Sequence, residues 1–349
     1  MTISERPGVY TSYSVSGTRY SSAPSAVAGV AAGASSGTAG RIYTITSYEN
    51  AADIFGAESD ITALIKTLFL NSVTEIKAVP ILEGTESEYS SAFKSLCGEE
   101  DVKAIICGSD DTDNIKALKT AILTSDKRNA HKIAFAEADC GTAAEYAAAA
   151  KELNCERIVL VAPKALDQDG ERAVCGTLSA AVCGALLSTA DPALPLNGAA
   201  LYGLGGLTAK FTDGDINTLV RGGVTPCEHL GGTTSVVRGI TTKTLNGDTP
   251  DRTWQEITTV MIVDNVIPDV RDALKNSFTR AKNTAQTRGA IRTKTIIELE
   301  KKVAAEIIES YGNVSAAADE SDPTVCNVTF DFTVTHGLNQ IRLAAFITV

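Results

Sequence analysis

The chain has 349 residues, 44% hydrophobic and 21% charged, a composition that suits a folded protein with a substantial core and excludes wholesale disorder. Its 31 Lys and Arg stand against 42 Asp and Glu, a formal net charge of −11, so no nucleic-acid partner is expected. At this length two or so domains are expected.

No stretch is long and apolar enough to suggest membrane insertion. The longest weakly polar run, Ala23 to Ala34, is made mostly of small residues and falls short of the roughly 20 apolar residues a bilayer requires. No basic segment precedes an apolar one at Met1, so a signal peptide is not expected. The eight cysteines (Cys97, Cys107, Cys140, Cys155, Cys175, Cys183, Cys227 and Cys326) contain no C-x-x-C pair. Several sit in apolar runs, and they read as reduced core residues of a cytosol-made protein.

In chain order, Met1 to Tyr20 is rich in Ser, Thr, Tyr and Val around Pro7-Gly8 and reads as an extended arm unable to fold alone. Small residues follow from Val27. Arg41 to Ser47 alternates as a strand does, and Tyr48 to Phe55 with Gly56 behind it predicts a short helix with a glycine stop. A second helix is expected at Ile61 to Leu70 and a strand at Ile76 to Leu82. Buried-type strands at Val102 to Cys107, Lys132 to Ala136 and Arg157 to Ala162 then alternate with helices. The first of these helices places Ile115, Leu118 and Ile122 on one face, the next opens on the capping-box pair Thr142 and Glu145, and the third spans Arg172 to Thr189. This rhythm predicts a largely parallel, helix-covered sheet.

After Asp191-Pro192 the chain becomes glycine-rich as far as Gly239, with one short helix expected at Asp213 to Arg221 and a domain boundary near Val236. Beyond it, Trp254 to Val263 reads as a strand, Pro268 to Ser277 as a helix entered through proline, and Thr293 to Tyr311 as a longer helix. That helix turns Ile296, Val303 and Ile307 inward and carries Glu298 and Lys302 as a solvent-side pair. Val328, Phe330, Phe332 and Val334 alternate as a half-buried strand, a turn follows at His336-Gly337, and alternation resumes through Ile341, Leu343, Ala345, Ile347 and Val349. A strand-like segment at each terminus presents an unpaired edge, which strand addition to a neighbour would satisfy.

Chemical motifs are sparse. No P-loop and no Gly-x-Ser-x-Gly elbow occurs, and Ser179 falls within a helix. Gly203-Leu204-Gly205-Gly206 has Thr208 where a dinucleotide fingerprint needs its third glycine, so it reads as a turn. His131, His229 and His336 lack ligand spacing, and Cys227 with His229 does not complete a tetrahedral set. Asp110, Asp111 and Asp113 follow the strand ending at Cys107, where open α/β sheets bind ligands, but read first as a helix cap favoured by the helix dipole.

Certain stretches, taken in order, resemble one family. They are Arg6-Pro7-Gly8-Val9-Tyr10, Ile45-Thr46-Ser47, Ile54-Phe55-Gly56, Gly222-Gly223-Val224, Arg238-Gly239-Ile240-Thr241-Thr242, Glu309-Ser310-Tyr311-Gly312-Asn313-Val314, Phe330-Asp331-Phe332 and His336-Gly337-Leu338-Asn339-Gln340-Ile341. On these the chain resembles contractile tail sheath proteins of myovirus tails, R-type bacteriocins and contractile injection systems. The resemblance implies a combined α/β and α+β fold: an outer α/β domain with a largely parallel helix-covered sheet, and an inner α+β sheath core domain with extended terminal strand arms. The expected divisions are a linking arm at 1–20, the outer domain at 21–235, the inner domain at 236–335 and a linking strand at 336–349.

The implied function is non-enzymatic, with no catalytic residue, cofactor or metal. The subunit would stack with itself as homo-hexameric rings in a helical array around a tail tube protein, meet baseplate and tail terminator proteins, and contract to drive the tube through an envelope. It would reside in a virion tail or tail-like particle assembled in the bacterial cytoplasm. Inter-subunit strand exchange is expected through Val9, Tyr10, Ile341, Leu343, Ala345, Ile347 and Val349, with hinges at Ser16, Gly17 and Gly337. The basic residues Arg280, Lys282, Arg288, Arg292 and Lys294 are the expected tube-facing set. The alternative is a small-molecule enzyme with its site at the Asp110–Asp113 loop.

Overall fold

The computed structural model describes residues 27–126 and 131–346. The order begins β1 (Val27–Gly33), β2 (Tyr43–Ile45), α1 (Tyr48–Phe55), α2 (Asp60–Leu70), β3 (Ile76–Ile81), α3 (Glu86–Gly98), β4 (Val102–Cys107), α4 (Thr112–Asp126), β5 (Ile133–Glu137), α5 (Ala143–Leu153) and β6 (Ile158–Ala162). It continues with β7 (Ala165–Leu166), α6 (Thr177–Leu187), β8 (Ala200–Leu201), β9 (Gly206–Leu207), α7 (Asp213–Gly222), β10 (Val224–Leu230), β11 (Thr233–Val236), β12 (Leu245–Asn246) and β13 (Thr249–Pro250). The chain then forms α8 (Ile257–Phe278), α9 (Ala285–Ala304), β14 (Ile308–Ala318) and β15 (Cys326–Val334).

Nine strands form one sheet in the order β2-β3-β1-β4-β5-β6-β10-β11-β8. From β3 through β10 neighbouring strands run parallel, while β2, β11 and β8 join antiparallel. Helices cover both faces, as parallel crossovers require. On one face Phe55, Ile61, Leu64, Leu68 and the residues of α6 pack on Val30, Ile106, Phe135 and Val159. On the other, Phe93, Leu96, Leu118, Ile122, Tyr146 and Leu153 pack on Ala31, Ile105, Ala134 and Leu160. The expected largely parallel, helix-covered sheet is therefore the body of the molecule.

The small residues from Val27 form β1, an interior strand of the sheet between β3 and β4. At Gly29 a Cβ would come within 3.2 Å of Val102 and 3.3 Å of Ile105, so the run is small because helix-facing side chains crowd it. The segment between β3 and β4 forms α3, opened by the Thr85 hydroxyl, which accepts from the Glu88 amide, and by the Glu88 carboxylate, which accepts from the Leu82, Glu83 and Gly84 amides. The capping box at Thr142 and Glu145 forms as the spacing indicates. The helix expected from Arg172 starts later, at Thr177, after Gly176 at φ 90°.

Three readings need correction. Trp254 to Val263 is not a strand: Ile257 onward belongs to α8, and Pro268 lies inside that helix rather than at its entry. The β-branched run Ile257-Thr258-Thr259-Val260 favours strand locally, but burial of Ile257, Val260, Ile262 and Val266 decides for helix. The helix expected to reach Tyr311 ends at Ala304, and Ile308 starts a strand. There Glu306 sits at φ 58°, its amide donates to the Val303 carbonyl at 2.9 Å, and the Ile307 amide donates to the Lys302 carbonyl at 3.0 Å. This is a Schellman stop with glutamate in the left-handed position that glycine usually fills. Finally, Glu298 is buried and binds Lys294 and Lys301, while Lys302 reaches across to Asp269 and Asn265 of α8.

A third cluster, with Ile262, Val266, Val270, Leu299, Ile308 and Val314 at its centre, joins α8, α9 and the β14–β15 pair. The same α8 contributes Ile257 to the first cluster. It is also gripped from the sheet side by Arg157, whose guanidinium takes both Asp264 carboxylate oxygens, with Nη2 to Oδ1 at 2.8 Å.

Candidate assembly surface

The two longest strands make a separate antiparallel pair, β14 with β15. A two-stranded ribbon alone is marginal in water and needs a packed face. Here Phe330, Phe332 and Val334 of β15 turn inward with Tyr311 of β14, packing on the buried cluster built around Ile262, Val266 and Leu299, which Ile296 and Val303 of α9 also join. The alternating Asn327, Thr329, Asp331 and Thr333 are exposed, which is the half-buried alternation read from the sequence. The outer edge of each strand has no strand partner among the described residues, leaving two rows of backbone amides and carbonyls available for pairing.

Two of the quoted stretches meet in this ribbon. Gly312 lies opposite Asp331, and the register shifts between Gly312 and Ser315. Asn313 stands at φ 48° and donates from Nδ2 to Asp331 Oδ2 at 2.6 Å. A Cβ on Gly312 would lie 2.7 Å from Asp331 Oδ1, so a side chain there would have to turn the Asp331 carboxylate aside.

Beyond β15, residues 335–346 form no strand in the single chain. Leu338, Ile341, Leu343 and Phe346 are 72%, 81%, 92% and 95% exposed. Four large apolar side chains exposed within nine residues make a surface awaiting cover. Of the residues expected to exchange strands, Ile341, Leu343 and Ala345 lie in this segment, whereas Val9, Tyr10, Ile347 and Val349 lie outside the described residues, as do the expected hinge residues Ser16 and Gly17. Gly337, the remaining expected hinge, packs against Pro195.

The five basic residues lie around the α8–α9 turn. Arg280 and Lys282 are exposed at the turn itself. Arg288 donates to Asn283 Oδ1 at 3.0 Å, Arg292 Nε to the Val314 carbonyl at 2.8 Å, and Lys294 pairs with Glu298 at 2.7 Å. These last three are partly committed to their own fold.

At the carboxyl ends of the parallel strands, Asp110 pairs with the buried Lys164, which also holds Asp139 at 2.7 Å, and Arg172 closes the group on Asp139 at 2.9 Å. Hydrogen bonds from Lys164 and Arg172 hold the Asp139 carboxyl below its usual range. Asp111 accepts from the Asp113 amide at 2.8 Å at the start of α4. The cap expected of this cluster thus falls to Asp111, while Asp110 serves an ion-pair network. Cys227 is buried in the sheet, and His229 Nδ1 meets Thr234 Oγ1 at 2.8 Å across β10 and β11. All eight cysteines are free, and five of them are buried. Burial pushes the Cys107 thiol up to about 12.

Comparison with known proteins bears on the same region. Residues 249–348 match the family described as the phage tail sheath C-terminal domain. Among solved structures, the anti-feeding prophage baseplate contains a chain that superposes with TM-score 0.75 at 16% identity over 99% of this chain and 100% of that one. A chain of the anti-feeding prophage helical sheath in its contracted state gives 0.71 at 15% identity over 99% of both. The sheath tail protein of Desulfitobacterium hafniense gives 0.70 at 11% identity over 94% of this chain and 100% of that one. No curated protein matches the sequence. Residues 249–348 are thus similar to the phage tail sheath C-terminal domain, and the chain shares, over nearly its whole length, the fold of chains in the anti-feeding prophage baseplate and sheath and of the Desulfitobacterium hafniense sheath tail protein.

Proposed function

We propose that the chain is a structural subunit of a contractile tail sheath. It stacks as hexameric rings around a tail tube, contacts baseplate and terminator proteins at the ends of the stack, and shortens to drive the tube through an envelope. The observation that supports this reading is that the matched segment holds a two-stranded ribbon whose outer edges have no strand partner among the described residues, together with an exposed apolar arm. The arm is too exposed to be at rest in a monomer, and the ribbon can accept such a segment by ordinary ladder pairing.

In this reading residues 1–20 and 336–349 are linking arms, 21–235 an outer body and 236–335 the tube-side unit. Val9, Tyr10, Ile341, Leu343, Ala345, Ile347 and Val349 pair with ribbons of neighbouring copies, and Arg280, Lys282, Arg288, Arg292 and Lys294 face an acidic tube. Exposed ion pairs contribute about 0 to 1 kcal/mol each and weaken in salt, which suits a contact that must release. The particle is assembled in the cytoplasm of the producing cell. Negative-stain electron microscopy of the purified full-length chain tests the reading. Tubes or stacked rings are expected; a monodisperse particle at every concentration and salt would refute it.

A further inference from the structure

The exposed arm does not leave the body freely. At its root a Cβ on Gly337 would lie 2.8 Å from Pro195 Cβ and 3.0 Å from Cγ, so backbone is pressed onto a proline ring. The φ of Gly337 lies outside the left-handed region, which makes close approach, not conformational freedom, the reason for glycine here. Two residues on, Asn339 Oδ1 accepts from Asn197 Nδ2 at 2.5 Å, and Asn339 Nδ2 lies 3.5 Å from Glu256 Oε1. Glu256 is itself held by Arg238 and occupies the N-cap position of α8.

The platform under these contacts is firm. Ala193 belongs to the cluster shared by α8, α9 and the ribbon, whereas Leu196 belongs to the core of the large sheet. Leu196 also lies against Gly239, where a Cβ would come within 3.2 Å of it. The loop carrying Pro195 and Asn197 is therefore tied into both packed units, and a segment seated on it inherits their orientation.

We infer that the arm root is a latched joint: Gly337 and Asn339, seated on Pro195, Asn197 and Glu256, aim the apolar segment, and the pivot lies beyond Asn339. This rests on the reading of that segment as an inter-subunit arm, and it moves the flexible point from Gly337 to the chain that follows. A latched root presents Ile341 and Leu343 to a neighbour from a defined direction, which lowers the ordering cost of strand pairing.

The test measures arm direction in the full-length chain at concentrations below those at which tubes form, using spin labels carried on unnatural amino acids at Lys94 and Leu343 and double electron–electron resonance. The wild-type background is expected to give one narrow distance population. Gly337→Ala and Asn339→Ala are expected to broaden or split it without changing the melting temperature, and Leu338→Ala to leave it narrow. A broad wild-type distribution, or a narrow one unaltered by both latch variants, would overturn the inference. Electron microscopy of concentrated, unlabelled wild type separates the two readings: if it forms no tubes, the sheath assignment fails, while the distance distribution still decides the latch.

Discussion

Asp331 and Asn313 face each other across the β14–β15 ribbon, joined by a 2.6 Å hydrogen bond from Asn313 Nδ2 to Asp331 Oδ2 at the point where the register shifts. The bond pins a left-handed asparagine to the partner strand and so sets where the two open edges stand relative to each other. Asp331→Ala is expected to lower stability by about 1 kcal/mol, the ordinary net worth of one such bond. Gly312→Ala should cost no more than that, because its methyl meets only the end of the exposed Asp331 side chain, which can turn aside at the expense of the same bond. Urea titrations of the two variants check the order; a lower midpoint for Gly312→Ala than for Asp331→Ala would contradict it.

Arg157 with Asp264 ties the sheet body to α8. The two side chains are 8% and 14% exposed, so either partner alone would remain charged in a poorly solvated place. Arg157→Ala and Asp264→Ala are each expected to destabilise by about 3 kcal/mol, and the double variant by much less than their sum. A double-mutant cycle by chemical denaturation measures this; additive losses would show that the pair is not coupled.

How much was legible is clearest from where local signals existed. Thr142 with Glu145, the alternation from Val328 to Val334 and the apolar runs at Val102 and Arg157 each act within a few residues, and each element formed close to where it was expected. The stop at Glu306 was not legible, since no glycine marks it and the turn is completed by backbone bonds to Val303 and Lys302. The run from Ile257 was misread because β-branched residues favour strand until a core claims them as helix. The apolar tail proposed as the assembly surface was legible, but its seat was not. Asn197 and Asn339 are 142 positions apart, and nothing local in either links them.

Glu137 offers a test by pH. It is buried, accepts from the Ser179 amide at 3.0 Å, and burial pushes its carboxyl above the ordinary value against amide bonds that pull it down. A group raised on folding adds stability below its unfolded value, and that contribution is lost as pH rises through the folded value. Glu137→Gln keeps an acceptor for Ser179 and removes the titration. The wild type is therefore expected to lose stability relative to the variant as pH rises from about 4. Melting temperatures of both across that range check it; a gap that widens toward acid instead would contradict the assignment.

At the α8–α9 turn, Arg280→Glu with Lys282→Glu should leave the melting temperature unchanged, because both side chains are exposed and such changes usually stay within about 0.5 kcal/mol. Co-sedimentation with the tube protein should fall, and the wild-type binding it replaces should weaken with salt. Unchanged co-sedimentation would remove these two residues from the proposed contact.

The central claim is that the carboxyl-terminal segment links one subunit to the next. Each added backbone bond contributes about 1 kcal/mol net, so a strand making four to six of them gives roughly 4 to 6 kcal/mol. The most direct measurement is electron microscopy and analytical ultracentrifugation of a chain ending at Gln340, compared with the full-length protein under identical conditions. The account predicts a folded, soluble monomer that forms no tubes; tubes of normal length from the shortened chain would contradict it.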